Sequence, residues 1–260
     1  MIDKFNRDGH MIIRQFFKGN EIFSAREEIE QLGRSFTPDF SFENAAQFIS
    51  EFSDEIRGTF YRGLRYLATP TQMACHPRLL ALSKELGLMM PAVMHSYNVR
   101  MDMPKDKNFL FHWHQDSTYL LGSVNALTYW IPMVPASPET GTISLIAGSH
   151  LNGIHPYRYT GDIDISSSKS LSPKEIYLLN DPEETGVVVE AEPGDLVVFR
   201  QMLLHQSLPN PGNKVRWTIQ VRHADLMEPD FRAAGYPLGD YTNIIKTNYL
   251  PGASKPIKES

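Results

Sequence analysis

Two imidazoles and a carboxylate are available at His114, Asp116 and His205, and Arg216 follows the last of them by eleven positions. Two histidines and one carboxylate can occupy one face of a metal ion and leave the opposite face open, the donor set of non-haem Fe(II) oxygenase sites. A guanidinium is a planar fork that stays charged, so Arg216 suits the carboxylate of an organic co-substrate. These four residues together specify a metal, a gas and a second substrate.

Other residues compete for the same chemistry. The His-x-Asp pattern occurs twice, at His114/Asp116 and at His223/Asp225. In a strand, positions i and i+2 face the same way, so either pair could present two ligands to one ion. The third ligand must come from elsewhere. His223 is the last histidine of the chain, whereas His114 and Asp116 have His205 downstream in a strand-like segment, FRQMLLHQSL. His112 and His114 form a His-x-His pair of the kind used in cupin-type Mn or Fe sites, but no glutamate follows it at residues 115–118. His112 therefore reads as a cavity residue. His10, His76, His95, His150 and His155 lack an i+2 carboxylate and read as capping or packing residues. A zinc hydrolase would also use His and Asp, but it leaves Arg216 without a role. In 215–223 (VRWTIQVRH), Arg216, Thr218, Gln220 and Arg222 share one face, and Val215, Trp217, Ile219 and Val221 the other. On this strand alone the simpler account is that both arginines meet solvent; a polar lining to an active-site cavity is the alternative.

The elements that must position these residues change character near residue 90. Segments 21–36, 43–67 and 77–87 carry apolar residues at helical spacing, with Gly33 and Pro38 between the first two, Thr69-Pro70 ending the second, and Pro77 and Gly87 bounding the third. Segments 93–102, 109–117, 124–131, 142–147, 187–191, 195–200, 202–208 and 215–223 are short, rich in β-branched and aromatic residues, and bounded by turn residues. Such a series favours a β-sandwich or barrel over a parallel α/β sheet. The polar stretch 151–186 is long for a loop, either a functional cover or a variable surface insertion.

At 260 residues, with 42% hydrophobic and 21% charged content, one substantial core is expected. A net charge of -5 argues against nucleic acid or an anionic membrane as the main partner. One cysteine, Cys75, excludes an internal disulfide and a cysteine-based zinc cluster. The opening MIDKFNRDGH lacks the features of a signal peptide and no run is long enough to cross a bilayer, so a cytoplasmic protein is expected. Nothing in the composition indicates an oligomeric state.

The stretch FHWHQDSTYLLGSVNALTYWIPMVPASPETGTISLIAGSH, with EAEPGDLVVFRQMLLHQSLPNPGNKVRW after it, resembles the phytanoyl-CoA dioxygenase-like family of Fe(II)/2-oxoglutarate oxygenases. The opening FNRDGHMIIRQFF resembles that family's N-terminal segment, so the likeness runs from about residue 5 to residue 223. It rests on the His-x-Asp pair, Gly141 and His150, a Pro-Gly-Asp turn, and His205 with Arg216; Ala147 stands where such proteins usually carry proline. The resemblance implies a double-stranded β-helix (jelly roll, cupin-like) over 91–223, flanked by helices from 1–90 and extended by 224–260, all as one oxygenase domain. It implies His114, Asp116 and His205 as ligands of Fe(II), Arg216 as partner of the remote carboxylate of 2-oxoglutarate, and Ser207 and Trp130 beside that co-substrate. It also implies use of O2 to convert 2-oxoglutarate to succinate and CO2 while a substrate C–H bond is oxidised. Related halogenases have a small residue at the carboxylate position, so Asp116 favours hydroxylation; desaturation, ring closure and epimerisation are variants of the same radical step. Tyr97, Asn98, Arg100, Trp113, Tyr119 and Arg222 are the candidates for contact with a small-molecule substrate, and the arginines suit an anionic one, unless Arg100 is spent on a surface ion pair. A jelly-roll binding protein or a metal-dependent isomerase is the competing expectation; neither needs the triad and Arg216 together.

Overall fold

The computed structural model describes residues 2–107, 110–159, 176–237, 239–240 and 257–258. The N-terminal third is helical. A short helix α1 (Ile2–Asp8) leads into strand β1 (His10–Ile13), and α2 (Gly19–Arg34) follows. Helix α2 buries Ile22, Ala25, Ile29 and Gly33, one stripe at three- and four-residue spacing. Glu21 secures its start by accepting from the Lys18 backbone N–H at 2.8 Å. Gly33 is required by close approach, because a Cβ there would lie 2.1 Å from the Phe40 ring.

The expected single helix over 43–67 is two, α3 (Ala45–Glu51) and α4 (Asp54–Leu64). Ser53 divides them: its side chain accepts from Ile56 N–H and starts a new helix. Thr69-Pro70 does not end a helix but lies in the first turn of α5 (Ala68–Ala74), where proline's missing N–H costs nothing. Helix α6 (Pro77–Glu85) runs as expected from its first-turn proline to Gly87, which has φ +102°.

Beyond these helices come β2 (Pro91–Asp102), β3 (Leu120–Leu121), β4 (Leu127–Pro132), β5 (Ile143–Leu145), β6 (Tyr157–Tyr159), β7 (Ile176–Leu178), β8 (Val187–Val188), β9 (Leu196–Arg200), β10 (His205–Ser207) and β11 (Arg216–Asp225). The chain continues through α7 (Pro229–Ala233), β12 (Gly239–Asp240) and β13 (Ile257–Lys258). The main sheet has the order β1-β9-β4-β11-β2, and a smaller one has the order β10-β5-β8; every pair in both is antiparallel. Strand alternation separates two cores. Leu127, Tyr129, Ile131, Leu196, Val198, Trp217, Ile219 and Val221 face the helices and pack with Ile22, Ile29, Phe60 and Leu79. Trp130, Val197 and Phe199 face the other way and meet Ile143 and Leu145 of the small sheet. Two sheets closed face to face, with helices behind the larger, make the double-stranded β-helix with N-terminal helices expected from the resemblance.

Two further small sheets, β12-β3 and β13-β6-β7, lie outside this core. Residues 160–175 of the 151–186 stretch and most of 241–260 are outside the described residues. Among the described residues no helix is long and apolar enough to cross a membrane.

Candidate metal centre

His114 and His205 are brought together by a single antiparallel bridge, in which each backbone N–H donates to the other's carbonyl at 3.0 Å. Segment 109–117 is therefore not a full strand: its pairing is confined to His114, and Asp116 begins a 3-10 turn, Asp116–Thr118. Asp116 reaches the metal position from that turn rather than by strand alternation. Its Oδ1 lies 3.8 Å from His114 Nε2 and 3.7 Å from His205 Nε2. One donor atom from each of the three residues lies within 4.8 Å of the others. Ligand bonds of about 2.0–2.2 Å to one ion fit within that span.

The other atoms of the three side chains are already engaged. His114 Nδ1 is 2.7 Å from the His112 carbonyl and His205 Nδ1 is 2.9 Å from that of Leu203. Each Nδ1 can only donate there, which directs the Nε2 lone pair to the gap. Burial, reinforced by the neighbouring His205, pushes the His114 pKa down to about 3, and burial also lowers that of His205. Both rings are neutral, as metal ligands must be. Asp116 Oδ2 accepts from Thr128 Oγ1 at 2.7 Å and Arg222 Nε at 2.9 Å, leaving Oδ1 toward the gap. Burial alone would raise the Asp116 pKa, but the net shift is downward: Arg222 leads the lowering by its charge and its hydrogen bond, and the two histidines add to it only in the acid range where they are themselves protonated.

Arg216 is 1% exposed, which overturns the solvent-facing account of β11; Arg222 is buried as well. Arg216 Nη2 lies 2.7 Å from Asp102 Oδ2, but none of its three guanidinium nitrogens has an aligned hydrogen bond among the described residues. Trp130 Nε1 and Thr218 Oγ1 are likewise buried without a partner there, and the Arg216 guanidinium lies 5.7 Å from the Trp130 ring centroid. Unused buried donors are costly unless a ligand meets them. Their clustering fits a carboxylate-bearing co-substrate. Ser207 is half-buried and shares a face of β10 with His205.

The six substrate candidates are placed unevenly. Tyr119 stands edge-on to the His114 ring at 5.2 Å. Arg222 lies against Asp116, and Arg100 pairs at 2.6 Å with Asp102, in the interior rather than on the surface. Asn98 donates to Tyr61 Oη at 3.0 Å. Trp113 is buried, with its ring against Gly186; as the neighbour of His114 in extended chain it faces the opposite way. The side chain of Tyr97 is outside the described residues. His112 is exposed, its ring 5.2 Å from that of Tyr177, and takes no part in the triad.

Several residues of the site were not singled out from sequence. Phe111 lies 5.0 Å from the His114 ring and Phe199 4.7 Å from that of His205, walling the histidines with apolar surface. Gln115 bonds the carbonyls of Gly153 and Met202 and accepts from His155 N–H, tying the ligand loop to the start of the 151–186 stretch. Thr128 and Asp102 each sit on the inward parity of a strand, and that parity is the signal by which they could have been found.

Three comparisons bear on this geometry. Residues 5–218 match the family described as Phytanoyl-CoA dioxygenase (PhyH). Methylphosphonate hydroxylase of Gimesia maris is 22% identical over 90% of this chain and 84% of its own length, and phytanoyl-CoA dioxygenase domain-containing protein 1 of Mus musculus is 26% identical over 86% and 89%. A 1-deoxypentalenic acid 11-beta-hydroxylase of Streptomyces arenae is 29% identical, but over only 40% of this chain and 36% of that protein. Among solved structures, the non-heme monooxygenase ThoJ superposes with a TM-score of 0.61 at 19% identity, covering 87% of this chain and 77% of that one. The epimerase SnoN, in complex with Fe3+, alpha ketoglutarate and nogalamycin RO, superposes with a TM-score of 0.59 at 19% identity, covering 99% and 92%. At such identities the superpositions establish the fold alone. The fold, the His-Asp-His donor set and the extent of the family match agree: the chain belongs to the phytanoyl-CoA dioxygenase family, enzymes that work with non-haem iron, 2-oxoglutarate and O2.

Proposed function

We propose that this enzyme hydroxylates a C–H bond of a small-molecule substrate, with 2-oxoglutarate, O2 and R–H giving succinate, CO2 and R–OH. The observation that carries the reading is the convergence of His114 Nε2, Asp116 Oδ1 and His205 Nε2 on one gap, beside a buried arginine with unused donors. His114, Asp116 and His205 hold Fe(II), which supplies the oxidative activation of O2 when bound. Arg216 takes the remote carboxylate of 2-oxoglutarate bidentately, with Trp130 and Ser207 beside it. Phe111, Tyr119 and Phe199 keep water from the histidine side of the centre. An aspartate at 116 fills its coordination position, which favours oxygen transfer over transfer of a halide. Relatives named as hydroxylases support the same outcome. Residues 1–260 act as one oxygenase domain, with 91–223 as catalytic core, the 151–186 insert within it and 224–260 as an extension.

The test is anaerobic addition of Fe(II) and 2-oxoglutarate, followed by exposure to air. A weak visible metal-to-ligand charge-transfer band, then succinate release, is expected. If neither develops, the oxygenase reading fails. Arg216→Ala is expected to weaken 2-oxoglutarate binding on the order of a hundredfold or more, from loss of two charge-assisted hydrogen bonds. Fe(II) affinity should be retained in that variant.

A further inference from the structure

Strand register sets a row of side chains beneath the metal centre. Thr128 of β4 lies opposite Arg222 of β11 on one side and opposite Phe199 of β9 on the other. Residues directly opposite in antiparallel strands share a face of the sheet, and all three of these are buried. They meet the centre in different ways. The Phe199 ring stands 4.7 Å from that of His205. Arg222 and Thr128 both reach Asp116, and both reach the same oxygen. Asp116 Oδ2 accepts from Arg222 Nε at 2.9 Å and from Thr128 Oγ1 at 2.7 Å. Asp116 Oδ1 is the atom that faces His114 Nε2 and His205 Nε2, at 3.8 and 3.7 Å.

The two donors do different work. Arg222 brings a charge to a buried carboxylate. Thr128 is neutral, and what it adds is direction. The terminal torsion of an aspartate is broad, so one donor at Oδ2 fixes an atom but leaves the carboxylate able to turn. A second donor on the same oxygen, from the neighbouring strand, removes that freedom. The orientation matters because a carboxylate can bind an ion through one oxygen or through both. With Oδ2 drawn in beside Oδ1, Asp116 would fill a position that two histidines and one carboxylate oxygen leave open.

Resting on the oxygenase reading, we infer that Thr128 is a positioning residue of the metal centre. Its hydroxyl holds Oδ2 against the sheet, keeps Asp116 a one-oxygen ligand, and so preserves the open face on which 2-oxoglutarate and O2 bind. Thr128 is not itself a ligand, yet loss of its hydroxyl alone should change how the iron receives 2-oxoglutarate.

Thr128→Val keeps the shape and removes the hydroxyl, whereas Thr128→Ser keeps the hydroxyl. Each full-length protein would be loaded anaerobically with Fe(II), its metal affinity measured, and then titrated with 2-oxoglutarate while the charge-transfer band is followed. The valine variant should still bind Fe(II). Its iron form should bind 2-oxoglutarate about tenfold more weakly, the scale of losing one hydrogen bond to a metal ligand, with the band shifted or lost. The serine variant should behave as the wild type in affinity and band. Should Thr128→Val not fold, Thr128→Ala also lacks the hydroxyl and carries the same comparison. An unchanged band and 2-oxoglutarate affinity without the hydroxyl would overturn the inference, as would equal changes in the valine and serine variants. Loss of Fe(II) binding altogether would overturn it too, since the hydroxyl would then secure ligation itself and not the open face. Failure of the oxygenase reading would show separately, as absence of the band in the wild type.

Discussion

His114-Gln115-Asp116 and His223-Ala224-Asp225 share a sequence pattern, yet the structure uses their polar atoms in opposite ways. In the first, the Nε2 of His114 faces Asp116 Oδ1 across 3.8 Å, too far for a hydrogen bond and suitable for an ion between them. In the second, both ring nitrogens are satisfied: Nδ1 by Ser83 Oγ at 2.7 Å and Nε2 by the Ala74 carbonyl at 2.8 Å. Asp225 accepts from the backbone N–H groups of Met89, Met90 and Met227 and from Asn125 Nδ2. The first pair keeps one donor atom per side chain unengaged and aimed at a common point. The second spends every one on structure: His223 joins helices α5 and α6 to the sheet, and Asp225 fastens the backbone of Met89, Met90 and Met227 and the side chain of Asn125. A ligand set is thus distinguished from a structural pair by what its side chains leave unsatisfied.

The largest effect that could break this contrast is on metal binding. His205→Ala removes one of three donors, and Fe(II) affinity measured anaerobically should fall at least a hundredfold, whereas His223→Ala should bind iron like the wild type. Equal losses in the two variants would erase the distinction between the pairs. Stability should show the reverse order. His223→Ala leaves a cavity and unpaired groups at Ser83 and Ala74 in a fully buried position, so a loss of about 2–4 kcal/mol in denaturant unfolding is expected. His205→Ala in the metal-free protein should lose less, because no hydrogen bond depends on its Nε2.

Asp225 adds a pH dependence to the structural side. Burial would raise its pKa, but the three backbone N–H groups and Asn125 outweigh that and hold it below the ordinary carboxylate value. A carboxyl with a depressed folded pKa stabilises the fold above its unfolded pKa of about 3.9 and loses that contribution as pH falls through the lower folded value. Asp225→Asn should cost about 1–3 kcal/mol near neutral pH, and its deficit relative to the wild type should shrink as pH falls below about 4. A deficit that stays constant across the acid range would mean the charge of Asp225 contributes nothing.

Much of this contrast was legible in the sequence, and the reason is topological. A third ligand had to come from elsewhere in the chain, and His223 has no histidine after it, whereas His205 follows Asp116. The alternation of 215–223 also placed Arg216, Thr218, Gln220 and Arg222 on one face. Whether that face met solvent or the barrel interior depends on the β10-β5-β8 sheet packed opposite, which periodicity in one strand does not contain. The same limit applies to Asp102 and Thr128: each is an ordinary polar residue until strand register brings it beside Arg216 or Asp116. The break between α3 and α4 was missed because the apolar spacing of 43–67 continues through Ser53, whose capping hydrogen bond alone resets the helix. Asp116 approaches the two histidines from a 3-10 turn and not by the strand alternation expected of it, because the pairing of 109–117 is confined to His114.

The smallest effect in this series concerns Ser83, the residue that makes His223 structural. Its hydroxyl lies 2.6 Å from Tyr129 Oη and 2.7 Å from His223 Nδ1, and also 2.9 Å from the Leu79 carbonyl. His223 Nε2 must donate to the Ala74 carbonyl, so the neutral ring leaves Nδ1 as an acceptor, and the one hydrogen of the Ser83 hydroxyl is shared between Nδ1 and the Leu79 carbonyl while its oxygen accepts from Tyr129. Ser83→Ala removes both links in a buried place but creates almost no cavity. A cost of about 1–2 kcal/mol is expected, smaller than for His223→Ala, because water or slight rotation can re-satisfy Tyr129 more easily than a missing imidazole can be replaced. The two losses should be strongly non-additive in the double variant, since they interrupt one hydrogen-bond chain. Iron affinity should be unchanged in all three variants. An additive double variant would show that Ser83 and His223 stabilise the fold independently, and the hydrogen-bond chain would then not be what sets the second His-x-Asp pair apart from the first.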